Sequence, residues 1–117
     1  MKKLPRILLL IGPGTLHSQG KDRMDFYNYR RSGLPFMTGQ ELLAGVPEIA
    51  SVADVVVDED NPHLVSTLED IRLLSARVNA LLQSPEVDGI VFVQGTNVLE
   101  ETAYFLTLTV NSNKPVV

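Results

Sequence analysis

Ile90-Val91-Phe92-Val93 is a short, unbroken apolar run that opens after the turn signal Asp88-Gly89 and stops at Gln94-Gly95. Its length and β-branched content fit a strand buried on both faces of a parallel sheet. Gln94 to Asn97 interrupts the run, and Val98 begins a helical pattern. Asn97 and Glu100 have the spacing of an N-cap and its N3 partner. Glu100 and Glu101 fall in the first turn, where the helix dipole favours carboxylates. The expectation is a tight strand-to-helix loop that exposes a hydroxyl and two amides. In open α/β sheets ligands bind outside the carboxyl ends of the strands. This loop is therefore the first place to look for function.

The same alternation recurs along the chain. Arg6 to Ile11 reads as a strand ended by Gly12-Pro13-Gly14. Thr15 to Phe36 is polar and irregular, and a loop of that length in a compact domain is often a lid or binding loop. Thr38 and Glu41 predict a capping box for a short helix, Gly39 to Ala44, stopped by Gly45 and Pro47. Ala53 to Val57 is the second strand, followed by the acidic loop Asp58 to Pro62. Ser66 and Glu69 predict another capping box. The helix behind it carries Ile71, Leu74, Val78, Leu81 and Leu82 on one stripe, with Asp70, Arg72 and Arg77 off it. Pro85 ends that helix, because the residue before a proline avoids the helical region. The last helix should run to about Val110, and Lys114 to Val117 starts a fourth strand. The order β-α-β-α-β-α-β predicts an α/β fold, a parallel sheet with right-handed crossovers and helices on both faces. Residues 1–117 make one such domain or part of one. A final strand this short would leave an apolar edge, so the expectation is the N-terminal portion of a longer protein.

Composition narrows the function. A net charge of −4 at pH 7 provides no basic footprint for nucleic acid or an anionic membrane. No apolar segment approaches the ~20 residues of a membrane-spanning helix. With no cysteine there is no thiol nucleophile and no thiolate metal site, which suits a reducing cytoplasm. His17 and His63 lack ligand partners at metal spacing and read as surface residues. The start, MKKLPRILLLIGPGTL, has a basic end and an apolar run, but Ile7 to Ile11 is too short for a signal h-region.

Two loops carry the candidate chemistry. Gly12-Pro13-Gly14-Thr15 follows the first strand, where nucleotide-binding loops also sit. The dinucleotide fingerprint fails at His17, and the P-loop fails at Asp22 and Thr15. The plain alternatives are a turn at Gly12 to Gly14 and a capping pair at Thr96-Asn97. However, strands one and three of such a sheet are plausible neighbours, which would bring Thr15 and Thr96 into one crevice. A threonine hydroxyl needs a base or its surroundings to activate it, and backbone N–H groups can help hold an oxyanion.

At these residues the chain resembles the bacterial-type L-asparaginases and glutaminase-asparaginases. ILLLIGPGTLHS is similar to that family's first strand followed by T-G-G-T-I. DGIVFVQGTNVLEETAYFLTLTVNSNKPVV is similar to its D-G-[IV]-[VI]-x-x-H-G-T-D-T-[ML]-E-E-T-A-[YF] block and the KPVV beyond it. The resemblance covers essentially the whole chain, about a third of a family member. It implies that Thr15 is the nucleophile that forms an acyl-enzyme with a side-chain amide, and that Thr96 is the second catalytic threonine. A lid tyrosine would assist, with Tyr29 the first candidate and Tyr27 the second. Gly95, Asn97 and Gln94 would contact substrate. It implies no cofactor and no metal, a small-molecule amide substrate, and a homo-oligomer, dimer or tetramer.

The departures from the family pattern are specific. Asn97 stands where the family has aspartate, which would weaken pairing with a substrate α-ammonium by about 1–3 kcal/mol. Gln94 replaces a histidine. No serine stands at the spacing of the family's substrate-binding serine: His63 is nearest by count, and Ser66 serves better as an N-cap. The family's catalytic lysine would lie beyond residue 117. A non-catalytic binding or regulatory module on the same scaffold is the alternative reading, and a nucleotide-binding α/β domain is a third.

Overall fold

The computed structural model describes residues 3–58 and 64–117, so the acidic loop beyond Asp58 and the expectation for His63 lie outside the described residues. Three parallel strands form the sheet: β1 (Arg6–Ile11), β2 (Asp54–Asp58) and β3 (Gly89–Val93), in the order β2-β1-β3. β1 sits in the middle, pairing Arg6 with Asp54 on one side and Ile7 with Gly89 on the other. The expected fourth strand is reduced to one parallel bridge, Val116 to Ile90. Backbone hydrogen bonds from Ile90 N to Pro115 O and from Phe92 N to Val117 O keep it beside β3.

Successive side chains on a strand point to opposite faces, and β1 divides its leucines accordingly. Leu8 and Leu10 join Ile90 in the main core, against α2 (Leu68–Leu82) and α3 (Leu99–Thr109). From α2 come Ile71, Leu74, Val78 and Leu82, and from α3 comes Leu106. Leu81 is only partly buried at the margin of this cluster. The other face carries Ile7, Leu9, Val55 and Val91. α1 (Gly39–Ala44) and the turn Pro47–Ser51 cover it in part, leaving an apolar cavity of about 420 Å³. β3 is thus not sealed on both sides, and Val91, Phe92 and Val93 stay half-buried.

Two polar devices hold the helices. Asn79 on α2 donates to the Thr109 carbonyl and accepts from the Asn111 amide, while the Ser75 and Thr109 hydroxyls meet at 2.7 Å. Lys114 Nζ donates to the carbonyls of Leu82 and Ser84, satisfying acceptors that the end of α2 leaves open.

The Thr38–Glu41 capping box forms as expected. The other two expected caps do not. α2 is capped by Thr67, whose hydroxyl accepts from the Asp70 amide while Asp70 accepts from the Thr67 amide. Ser66 and Glu69 have the same spacing one residue earlier, but Thr67 is the residue with extended backbone at the helix start, and Glu69 turns outward to Arg72. Asn97 caps nothing either. The chain leaves Gly95 in a short 3-10 turn, Thr96–Val98, and α3 begins at Leu99 without a side-chain cap.

Candidate functional site

β1 and β3 are neighbours running in the same direction, so the loops after them emerge side by side at the carboxyl edge of the sheet. Their backbones are tied together. The Gly12 amide donates to the Val93 carbonyl at 2.7 Å, and the Gly95 amide donates to the Pro13 carbonyl at 2.7 Å. Gly14 has φ +151°, a conformation that residues with a Cβ rarely adopt. A Cβ there would also stand 2.4 Å from the Gly95 nitrogen. Glycine at both positions lets the two loops close on each other, one residue before each threonine.

The result is a cavity of about 300 Å³ whose walls include Thr15, Gly95, Thr96, Asn97, Arg30 and Ser66. Thr15 is half-buried, and Thr96 and Asn97 are exposed. Neither side chain of the pair Thr96 and Asn97 is spent on capping a helix. Hydroxyl-bearing residues from three chain segments, Asn97 and Arg30 therefore line a single concave site. Such a set can orient a small polar molecule and hold an oxyanion, provided that a base acts on one hydroxyl.

Two of the expected residues stand apart from it. Gln94 lines a separate cavity of about 340 Å³ between β3, α3 and the 112–117 segment, and its Nε2 donates to the Gly95 carbonyl. Tyr29 opens the 3-10 turn Tyr29–Arg31 and is half-buried outside the threonine cavity, while Tyr27 is 94% exposed. It is the next residue, Arg30, that reaches the cavity wall. Among the described residues Arg30 makes no side-chain hydrogen bond and no ion pair. Its signal in the sequence is weak: one of several cations in a long polar loop.

That loop is ordered by its own contacts. The Met37 amide donates to the His17 carbonyl at 2.7 Å, the His17 ring meets Phe36 edge-on at 4.7 Å, and Gln19 Nε2 donates to the Pro35 carbonyl. Asp25 accepts from the Asn28 amide and the Lys21 amide. Led by the Asn28 bond, these contacts hold its carboxyl below the ordinary aspartate range. His17 is thus half-buried in the loop base, not on the open surface.

Among the described residues no group of three or more His, Cys, Asp or Glu side chains is placed to hold a metal ion. Among them, too, no helix is long and apolar enough to cross a membrane.

Comparison with known proteins places the sequence in a family. The family model described as "Asparaginase, N-terminal" matches residues 6–117. L-asparaginase 2 of Bacillus subtilis (strain 168) is 41% identical over 120 residues, covering 99% of this chain and 31% of that protein. The glutaminase-asparaginase of Pseudomonas fluorescens biotype A is 33% identical, covering 98% of this chain and 32% of its own length. A protein of Haemophilus influenzae named "Probable L-asparaginase periplasmic" is 34% identical, with 97% and 32% covered. The chain thus spans about a third of the length of these curated relatives. With nearly all of it matched, and the loops after β1 and β3 closed on one cavity, this chain belongs to the asparaginase family.

Proposed function

We propose that the cavity between the Thr15 and Thr96 loops is the site of an asparaginase-like amidohydrolase. The reaction is hydrolysis of the side-chain amide of L-asparagine, or of glutamine or a related amide, to the acid and ammonia. The observation that carries the reading is the meeting of Thr15 and Thr96 in one cavity at the carboxyl ends of adjacent parallel strands.

In this reading Thr15 Oγ attacks the amide carbon. An O–C bond forms, the C–N bond breaks, and the hydroxyl proton passes to the leaving nitrogen, which departs as ammonia. Water then adds to the acyl carbon, the ester C–O bond breaks, and Thr15 recovers its proton as the acid leaves. Thr96 assists the attacking or hydrolytic step, Gly95 and Asn97 contact substrate, and Tyr29 assists Thr15 from the lid loop. Gln94 contacts substrate only if its loop shifts toward the threonines. The reading needs no cofactor. The whole protein is proposed to be a dimer or tetramer, which sedimentation velocity measures. The cytoplasm is the compartment proposed, on the lack of cysteine, and fractionation against a periplasmic marker tests it.

Asn97 in place of an acid favours a second reading, a module that binds the same class of ligand without turning it over. Ammonia release from asparagine and glutamine separates the two. Activity that falls by several orders of magnitude in Thr15→Ala supports the acyl-enzyme. Turnover unchanged in that variant removes Thr15 as nucleophile. Binding with no turnover in the native protein favours the module.

A further inference from the structure

Thr15 lies outside regular secondary structure, one residue past Gly14 and at the head of the loop that runs to Phe36. A reacting group displaced by about 1 Å can lose a hundredfold in rate, so a nucleophile placed there needs support on both sides. Upstream, the support is the pair of backbone bonds from the Gly12 amide to the Val93 carbonyl and from the Gly95 amide to the Pro13 carbonyl. Downstream, the Thr15 carbonyl accepts from the Ser18 amide at 3.1 Å, which closes a turn. Within that turn His17 meets the returning end of the loop twice. Its carbonyl accepts from the Met37 amide at 2.7 Å, and its ring meets Phe36 edge-on, with centroids 4.7 Å apart and planes at 63°.

The returning end is itself moored. Thr38 and Glu41 cap α1 reciprocally, with the Thr38 amide donating to Glu41 Oε2 at 2.7 Å. Gly39, at the start of that helix, is buried against the sheet, where a Cβ would stand 2.5 Å from Val57 Cγ1 and 3.4 Å from Ile11 Cγ1. Contacts therefore run from β1 and β2 through α1 to Phe36 and Met37, and from these to His17 and the Thr15 turn. Just beyond, Gln19 Nε2 donates to the Pro35 carbonyl at 2.8 Å. Residues 20–34, with Tyr27, Tyr29 and Arg30 among them, lie on the far side of this neck. Along the chain, a change in that stretch meets His17 and Phe36 before it meets Thr15.

We propose that His17 is a positioning residue for Thr15. Its ring on Phe36 and its carbonyl on Met37 fasten the Thr15 turn to α1, so that Thr15 keeps its place while residues 20–34 adjust to a ligand. The inference rests on the reading of Thr15 as the nucleophile, and it deepens that reading by naming what holds the nucleophile. His17 transfers no proton in this scheme. What it supplies is an aromatic ring of the right size for an edge-to-face contact, and a phenyl ring serves that purpose as well as an imidazole.

The experiment uses the whole protein with His17→Ala, Phe36→Ala, both together, and His17→Phe. Ammonia release from asparagine and glutamine gives kcat and KM. Backbone hydrogen exchange is followed at Ser18, whose amide bonds the Thr15 carbonyl, and at Leu10 in β1 as a core reference. Each alanine variant is expected to lower kcat about ten- to hundredfold with KM changed by less than about twofold. The double variant should be no worse than the poorer single one, because both remove one contact. His17→Phe should bring kcat back to within about threefold of the native value. Ser18 exchange should quicken in the alanine variants and recover in His17→Phe, with Leu10 protected throughout. Native kcat in His17→Ala, a loss that phenylalanine does not rescue, additive losses, or protection lost at Leu10 together with Ser18 overturns the inference. Turnover abolished by Thr15→Ala but untouched by His17→Ala would do the same and leave the hydrolase reading standing. The expected exchange pattern in a protein that releases no ammonia would keep the neck and sink the hydrolase reading.

Discussion

Gly14 and Gly95 meet backbone to backbone: a Cβ on Gly14 would stand 2.4 Å from the Gly95 nitrogen, and one on Gly95 would stand 3.1 Å from the Gly14 Cα. The two contacts are not equivalent, because Gly14 also has φ +151° whereas Gly95 has φ −70°.

That asymmetry predicts unequal costs. Gly14→Ala combines a strained backbone with a clash against main chain, which cannot rotate away, and should destabilise the chain by about 1–3 kcal/mol. Gly95→Ala needs only a few tenths of an ångström of relief and should cost less. Chemical denaturation gives the ranking, and NMR shifts at Thr15 and Thr96 report whether the loops have parted. A Gly14→Ala chain as stable as the native one would show that the loops are not in contact.

The start of α2 offers a second test, because Ser66 and Thr67 are adjacent and only one caps the helix. Thr67→Ala should cost about 1 kcal/mol, the usual loss for an N-cap. Ser66→Ala should change stability by no more than about 0.5 kcal/mol, as for a surface site without such a role. Denaturant midpoints of the two variants decide it. Equal losses would mean that the helix frays between two registers.

Asp25 links the lid loop to pH. Its carboxyl is held below the ordinary aspartate value of about 3.9, first by the Asn28 amide and then by that of Lys21. A depressed folded-state value means that the charged form is the one bound. The ordering is therefore complete above pH ~4 and is lost as pH falls through the lower, folded-state value. Amide exchange at Asn28 and Lys21 should quicken over that acid range, and Asp25→Ala should show the fast exchange already at neutral pH. Exchange in the variant no faster than in the native loop would remove Asp25 as its anchor.

How much of this was legible in the sequence depends on the range over which each feature is decided. β1, α1 and its Thr38–Glu41 box were readable almost residue for residue, because turn residues and caps act across three or four positions. The two misplaced caps show the limit of the same rule. Ser66–Glu69 and Thr67–Asp70 satisfy the spacing equally, and Asn97–Glu100 satisfies it without being used. The choice falls to the backbone angle at which the preceding strand or loop delivers the chain, which spacing does not encode.

The amino-acid sequence by itself determined the alternation of strands and helices, the glycine turns after β1 and β3, and the hydroxyls that stand behind them. Only the tertiary structure decided that Thr15 and Thr96 share a wall, that Gln94 lines a different cavity, and that Arg30 rather than Tyr29 lines the threonine cavity. The reason is physical. Periodicity and caps come from interactions within a turn or two of chain, whereas convergence follows from strand order and from the path of a twenty-residue loop set by scattered contacts such as His17 with Met37 and Asp25 with Asn28.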